Sequence, residues 1–220
     1  MSGHLALVGG NEWREGCTFD RALLEASGGS EVLVLPTAAA YEHPERAVET
    51  AKAWFDGLGG KAEGLMVLRR HDAEDDANAA AVRASRFIYL SGGSPMHLRS
   101  VLKDSPLWDA IVAAWNDGAV LAGSSAGAMV LCDPMVDPRG GAFTLGLGLV
   151  EQLALIPHHD QWDEDQAART IELAPRGLPV VGIDERTALI RSPEGSWTAE
   201  GAGRVVVFVD GQEAGVERLP

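Results

Sequence analysis

Short apolar runs alternate along the chain with longer stretches whose apolar residues recur at helical spacing. Leu5–Val8 (LALV) and Glu31–Pro36 (EVLVLP) predict two strands, the first running into Gly9-Gly10-Asn11. Pro44–Phe55 predicts a helix, with Pro44 suited to a first turn and Gly57 near its end. Leu65–Leu68 predicts a third strand, and the Ala-rich Asp75–Ser85 a helix. Arg86–Leu90 (RFIYL) predicts a fourth strand that enters Ser91-Gly92-Gly93. Ser105–Asp117 predicts a helix with Pro106 at its first position and Gly118 at its end. Ala119–Ala122 (AVLA) predicts a fifth strand, followed by Gly123-Ser124-Ser125-Ala126-Gly127 and an apparent helix over Ala126–Leu131.

This alternation predicts βαβ units: an α/β protein with a three-layer, mostly parallel, doubly wound sheet. The C-terminal third changes character. Phe143–Pro157 carries Gly146 and Gly148 among apolar residues. Val180–Ile183, Thr187–Arg191, Ser196–Ala199 and Arg204–Val209 predict short strands, with turns at Pro193-Glu194-Gly195 and Asp210-Gly211. These read as a C-terminal β-hairpin extension of the sheet, so residues 1–220 are expected to form one α/β domain.

Composition narrows the function. A chain of 220 residues can bury roughly 70% of its unfolded surface without staples. Lys plus Arg is 18 and Asp plus Glu is 32, a net charge of −14, which repels phosphate backbones and argues against nucleic acid. Two cysteines, Cys17 and Cys132, make neither a disulfide framework nor a cysteine-rich zinc site, and they suit a reducing cytoplasm. No apolar run reaches the ~18 residues of a membrane span. Met1-Ser2-Gly3-His4 has no basic region, so no signal peptide is expected.

The strongest local signal is Gly123-Ser124-Ser125-Ala126-Gly127, a G-x-S-x-G between a strand and a helix. A serine on such a turn is held in a strained conformation, and small neighbours let the chain turn tightly and a substrate approach. Free N–H groups at the helix start stabilise an oxyanion. Ser125 is therefore the candidate nucleophile. Ser91-Gly92-Gly93 leaves a second strand end, where ligands of doubly wound sheets bind. The amide of Gly93, or of Gly92, would pair with that of Ala126 to hold one oxyanion.

A serine hydroxyl needs a base. His4, His43 and His71 fall in loops or strand starts, and His97 on a helix leading away. His158 and His159 close an apolar run at a strand's carboxyl end, and adjacent residues on an extended chain point to opposite sides. The residues alone do not choose between these two. For the acid that orients the imidazole, Asp184 and Glu185 close the strand VVGI, with Asp160, Asp133 and Asp137 as alternatives.

Together, Gly9-Gly10-Asn11, Ser91-Gly92-Gly93, the serine elbow, Gly146-Leu147-Gly148-Leu149 leading to Pro157-His158, and Gly182-Ile183-Asp184-Glu185 resemble the dipeptidase E and cyanophycinase family of serine peptidases. The resemblance spans Leu5 to Val209. It implies the flavodoxin-like, class I glutamine-amidotransferase-like fold. It also implies Ser125 as nucleophile, His158 as base, Glu185 as orienting acid, and Gly93 with Ala126 as the oxyanion hole. Gly92, Asn11, His159 and Trp162 are candidate substrate contacts. No cofactor or metal is implied. Relatives are often dimers, so a homodimer is an expectation. One departure bears on specificity: His159-Asp160-Gln161-Trp162-Asp163-Glu164-Asp165 is an acidic run where cyanophycinases carry arginines. That run disfavours a carboxylate-rich substrate.

The leading expectation is a cytoplasmic serine exopeptidase or dipeptidase acting on short peptides. An esterase or amidase on the same fold is one alternative, and a catalytically inactive binding member is another. Glutaminase chemistry would need a cysteine in the elbow, and Cys132 lies two helical turns, ~10 Å, beyond Ser125.

Overall fold

The computed structural model describes residues 1–220, the side chain of residue 164 excepted. Its strands are β1 (Leu5–Val8), β2 (Glu31–Leu35), β3 (Lys61–Gly64), β4 (Phe87–Leu90), β5 (Val120–Ser124), β6 (Cys132–Asp133), β7 (Met135–Val136), β8 (Phe143–Thr144), β9 (Val150–Glu151), β10 (Ala154–Ile156), β11 (Val180–Ile183), β12 (Thr187–Arg191), β13 (Trp197–Gly201), β14 (Val205–Val209) and β15 (Gln212–Ala214). The helices are α1 (Phe19–Ala26), α2 (Pro44–Gly57), α3 (Arg70–Ala73), α4 (Asp76–Ala84), α5 (Pro95–Leu102), α6 (Pro106–Asn116), α7 (Ala126–Leu131) and α8 (Glu164–Glu172).

The main sheet has seven strands in the order β13-β12-β1-β5-β4-β2-β3. Its five N-terminal strands are parallel, and β12 and β13 add an antiparallel hairpin beside β1. Central strands of such a sheet are covered on both faces and so are apolar throughout. β1, β4 and β5 fit this, with every residue buried. Successive side chains part to opposite faces. Ala6, Val8, Phe87, Tyr89 and Val120 meet Phe19 and Leu23 of α1 and Val48 and Phe55 of α2. Leu5, Leu7, Ile88, Leu90 and Leu121 face the layer that holds α5, α6 and α7. Prolines at first-turn positions start α2, α5 and α6. Ser94 and Ser105 cap α5 and α6 by accepting from the His97 and Trp108 amides.

Several elements differ from the pattern-based expectation. The third strand is Lys61–Gly64, not Leu65–Leu68. It is an edge strand with one buried residue, Ala62, so it carries no apolar run, whereas Val67 is buried in a connecting segment. α1 was not anticipated, because its Phe19-Leu23-Leu24 stripe occupies only eight residues. The C-terminal strands do not all extend the main sheet. Only β12 and β13 do. β10, β11, β14 and β15 form a separate four-stranded sheet in which β10 and β11 are parallel. The chain leaves β11 through Asp184-Glu185-Arg186, where Arg186 has φ 56°, and enters β12 in the other sheet. The second sheet packs Leu155, Val181 and Val207 onto the cluster that covers the α5–α7 face.

Candidate active site

Five chain segments meet at the carboxyl ends of parallel strands: the turns after β1, β4 and β5 in the main sheet, and those after β10 and β11 in the second. The loop after β1 ties them together. Val8 O accepts from the Ser125 amide at 2.9 Å, Gly9 O from the His158 amide at 2.7 Å, and Gly10 O from the Arg186 amide at 2.8 Å. Each partner is separated from β1 by more than a hundred residues, so this loop sets the register between the two sheets at the site.

Ser125 sits between β5 and α7 with φ 49° and ψ −108°, a strained conformation for a residue with a side chain. Small neighbours make the turn feasible. A Cβ on Gly123 would come within 2.5 Å of Gly127 O, and one on Gly127 within 2.4 Å of Leu90 O. The strain turns the Ser125 hydroxyl toward His158, whose Nε2 lies 2.9 Å from Oγ. The other ring nitrogen, Nδ1, lies 2.8 Å from Oε1 of Glu185. Oε2 of the same carboxylate accepts from Nδ2 of Asn11 at 2.8 Å. The Glu185 backbone is itself held, its amide donating to Oδ1 of Asp160 at 2.9 Å. Burial alone would push the Asp160 carboxyl up, but the bonds from the Glu185 amide and Gln161, with the nearby imidazole of His158, hold it below its ordinary value.

The amides beside the hydroxyl differ in their partners. No partner among the described residues accepts from the N–H of Gly93 or of Ala126. The Gly92 N–H, in contrast, donates to Oε1 of Glu12 at 3.1 Å. Of the two expected alternatives, the free donor is Gly93. Backbone packing is what requires glycine there. Gly93 has φ +135°, and a Cβ would lie 2.3 Å from Ala38 O, so backbone rather than an incoming carbonyl excludes a side chain. It is at Gly92 that a Cβ would face Ser125, 3.4 Å from its Cβ.

Other candidates are placed elsewhere. His159 turns away from Ser125; its ring lies over Gly182, 3.6 Å from Oδ1 of Asp184 and beside Phe208. Asp184 accepts from the Arg204 amide at 2.8 Å and so secures the β11–β14 junction. His158 takes up φ 50°, and that left-handed turn is what separates the two histidines. Trp162 packs at the edge of the apolar cluster, whereas Asn11 lines the open cleft and donates to Glu185 from there. Asp133 accepts from the Gly146 amide. Asp137 is engaged by Arg139, whose hydrogen bonds pull its carboxyl down to about 2. Nε2 of His97 lies 2.9 Å from Leu68 O. Cys132 is buried and burial pushes its thiol up to about 12, so it supplies no thiolate. Within the acidic run, Asp160, Asp163 and Asp165 are exposed, and Asp163 caps α8 by accepting from the Asp165 amide.

An open cleft of about 350 Å³ adjoins the imidazole, with Glu12, Trp13, Arg14 and Thr50 on its walls. A larger hollow of about 480 Å³ lies beside Gly29, Ser30 and Arg86 at the opposite, amino end of β2 and β4, far from any nucleophile. Among the described residues, no cluster of His, Cys, Asp and Glu has metal-binding geometry, and no helix is long and apolar enough to cross a membrane.

A hydroxyl, an imidazole and a carboxylate in one hydrogen-bonded line, with free amides beside the hydroxyl, define the arrangement of serine hydrolases. The family model of peptidase family S51 matches residues 5–196, and the chain belongs to that family; it is a serine-type peptidase. A cyanophycinase of Synechococcus elongatus is 27% identical over 222 residues, covering 94% of this chain and 69% of that protein. Peptidase E of Citrobacter koseri is 29% identical over 163 residues, 69% of this chain and 70% of the relative. Among solved structures, a peptidase from an acI-B1 Actinobacterium superposes with a TM-score of 0.86 at 33% identity, covering 97% of this chain and 93% of the other. A Listeria monocytogenes EGD-e protein, 19% identical with a TM-score of 0.70, shares the fold.

Proposed function

We propose that the chain is a serine exopeptidase that hydrolyses short peptides through an acyl-enzyme, with Ser125, His158 and Glu185 as its catalytic triad. The observation that carries this is the pair of contacts to one imidazole, 2.9 Å to Ser125 Oγ and 2.8 Å to Glu185 Oε1. His158 takes the Ser125 proton as Oγ bonds to the scissile carbonyl carbon. The oxyanion is held by the amides of Gly93 and Ala126. The tetrahedral species collapses, the C–N bond breaks, and the proton on His158 goes to the leaving amine. Water then attacks the ester, giving its proton to His158, and Ser125 regains a proton as the acid leaves. Glu185 holds Nδ1 protonated and stabilises the imidazolium.

The small, open cleft beside the triad supports short substrates over folded proteins. The test is labelling with a fluorophosphonate, which phosphonylates an activated serine. Ser125 is expected to be modified in the wild type and Ser125→Ala to stay unlabelled. Labelling that persists in the variant would overturn the assignment. Digestion of a peptide library, read by mass spectrometry, is expected to show single residues or dipeptides released from chain ends; internal cleavage of long peptides would overturn the exopeptidase reading.

A further inference from the structure

We propose that Glu12 is a positioning residue for the oxyanion turn, and that its carboxylate determines that the Gly93 amide, and not the Gly92 amide, faces the reacting carbonyl. The inference rests on Ser125 being the nucleophile. Glu12 follows the β1 loop and is half-buried. It joins two segments that hold the two sides of the site. Oε1 accepts from the Gly92 amide at 3.1 Å, in the turn after β4. Oε2 accepts from the Ser124 hydroxyl at 2.7 Å, at the end of β5 and next to the nucleophile.

The remaining anchors of the turn show why this matters. On the side away from Ser125 the turn is fastened to the end of β2: the Ser91 amide donates to Leu35 O at 3.2 Å and the Ser94 amide to Ala38 O at 2.8 Å. Gly93 lies against Ala38 with φ +135°. On the side facing Ser125, Glu12 tethers the Gly92 amide. With that acceptor removed, the Gly92 N–H has no protein partner, and rotation of the turn's peptides is resisted on this side only by the 3.3 Å bond from the Ser91 hydroxyl to Gly92 O. Both glycines lack the side chains that would resist it. A rotated peptide moves the Gly93 donor, and oxyanion donors work only when preorganised at the position where charge develops. A carboxylate suits this task because it accepts from both donors at once, and bonds to an ionised acceptor are about twice as strong as neutral ones. Glutamine can keep both contacts. Its carbonyl accepts from Gly92, and its NH2 donates to Ser124, whose hydroxyl also accepts.

The experiment follows the release of 4-nitrophenol from 4-nitrophenyl acetate by the full chain. In the burst the Ser125 Oγ–acetyl bond forms, 4-nitrophenolate leaves, and the serine proton passes to His158. Glu12→Ala is expected to lower the acylation rate constant about 10- to 100-fold with the concentration for half-saturation unchanged. Glu12→Gln is expected to restore the rate to within about 3-fold of wild type, because the two contacts survive. Ser124→Ala cuts one arm only and is expected to lose about 3- to 10-fold, again in rate and not in saturation. That variant decides the matter if Glu12→Ala does not fold: an unchanged acylation rate in a folded Ser124→Ala protein overturns the proposal. An unchanged rate in Glu12→Ala, or a loss in Glu12→Gln as deep as in Glu12→Ala, overturns it as well. A wild type with no burst and no fluorophosphonate label would instead remove the assignment of Ser125.

Discussion

The imidazole of His158 occupies the space where a side chain on Gly10 would lie: a Cβ there would sit 2.2 Å from Cε1 and 2.5 Å from Nε2. Gly10 also has φ +121°, a conformation that strains any L side chain. The bare face of this glycine therefore seats the ring between Ser125 and Glu185. Gly10→Ala is predicted to push the ring out of line while leaving the sheet intact. A displacement of about 1 Å at a catalytic group costs on the order of 100-fold in rate. The check is the second-order rate of fluorophosphonate labelling at Ser125, with the melting temperature as control. A variant that labels at the wild-type rate would remove the seating role of Gly10.

Asp184 and Glu185 are neighbours with separate tasks, and substitution should separate them. Glu185 meets the imidazole and Asn11, whereas Asp184 meets the Arg204 amide and His159. Glu185→Gln keeps the shape but no longer stabilises imidazolium or favours the Nδ1–H tautomer. It is predicted to lower kcat by about 100- to 10,000-fold. Asp184→Asn retains an acceptor for Arg204 and is predicted to change kcat by less than about 10-fold, its effect falling on stability instead. Asn11→Ala, which removes a donor from Glu185, should fall between the two. Steady-state kinetics on a peptide that the wild type cleaves would check the order. Equal losses at 184 and 185 would contradict it.

Much of this was legible because the chemistry is local. The elbow serine lies between a buried strand and a helix, and glycine doublets mark two more strand ends, so Ser125 and Ala126 follow from short windows, while Gly93 over Gly92 came only with the family resemblance. The parallel strands β1, β2, β4 and β5 follow from apolar runs. The choice of His158 over His159 did not follow from alternation. It depends on the left-handed conformation of His158, which the loop from β1 imposes through the bond to Gly9 O. Glu12, following the first glycine turn, could be placed near the site, but its contacts and the role of Gly10 were hidden, since each depends on residues 80 or more positions away. The second sheet was missed because β11 and β12 are separated by three residues and read as neighbours, while the turn at Arg186 sends them to different sheets. β3 was misplaced because an edge strand has no need of an apolar run.

Beneath the site lies a buried carboxyl that the proposed reaction does not use. Asp20, at the start of α1, is pushed up to about 8, chiefly by burial, with a contribution from the charge of Glu12, while a bond from Nε1 of Trp54 opposes the shift. Its Oδ1 has no partner among the described residues. Below the ordinary value of 3.8 the carboxyl is protonated in folded and unfolded chains alike. Between there and about 8 the folded form keeps the proton and the unfolded form loses it, so stability falls as pH rises. The stability lead of wild type over Asp20→Asn is therefore predicted to shrink from pH 5 to pH 8, by at most about 1.4 kcal/mol per pH unit. Denaturant unfolding of both proteins across that range is the measurement. A constant difference would show that Asp20 does not titrate on unfolding as its burial implies.

The adjacent glycines of the oxyanion turn should respond to the same substitution in opposite ways. At Gly93 an alanine would bring Cβ within 2.3 Å of Ala38 O at φ +135°, so the backbone itself must shift. Gly93→Ala is predicted to lower both the melting temperature and kcat, the latter by about 100-fold, because the displaced donor is one of the two amides available to the oxyanion. At Gly92 the new methyl would meet Cβ of Ser125 at 3.4 Å and Oε1 of Glu12 at 3.6 Å, ordinary contacts that the fold can accept. Gly92→Ala should therefore melt within about 2 °C of wild type, since surface changes free of clashes are usually within ±0.5 kcal/mol. The methyl nevertheless stands beside the nucleophile where an acyl group must enter. The loss should appear as a raised KM that grows with the size of the residue donating the carbonyl. Kinetics on peptides that vary only at that residue, together with melting curves, separate the two cases. A Gly92→Ala protein that is unstable yet catalyses normally, or a Gly93→Ala protein that is stable and fully active, would contradict this division of labour between the two positions.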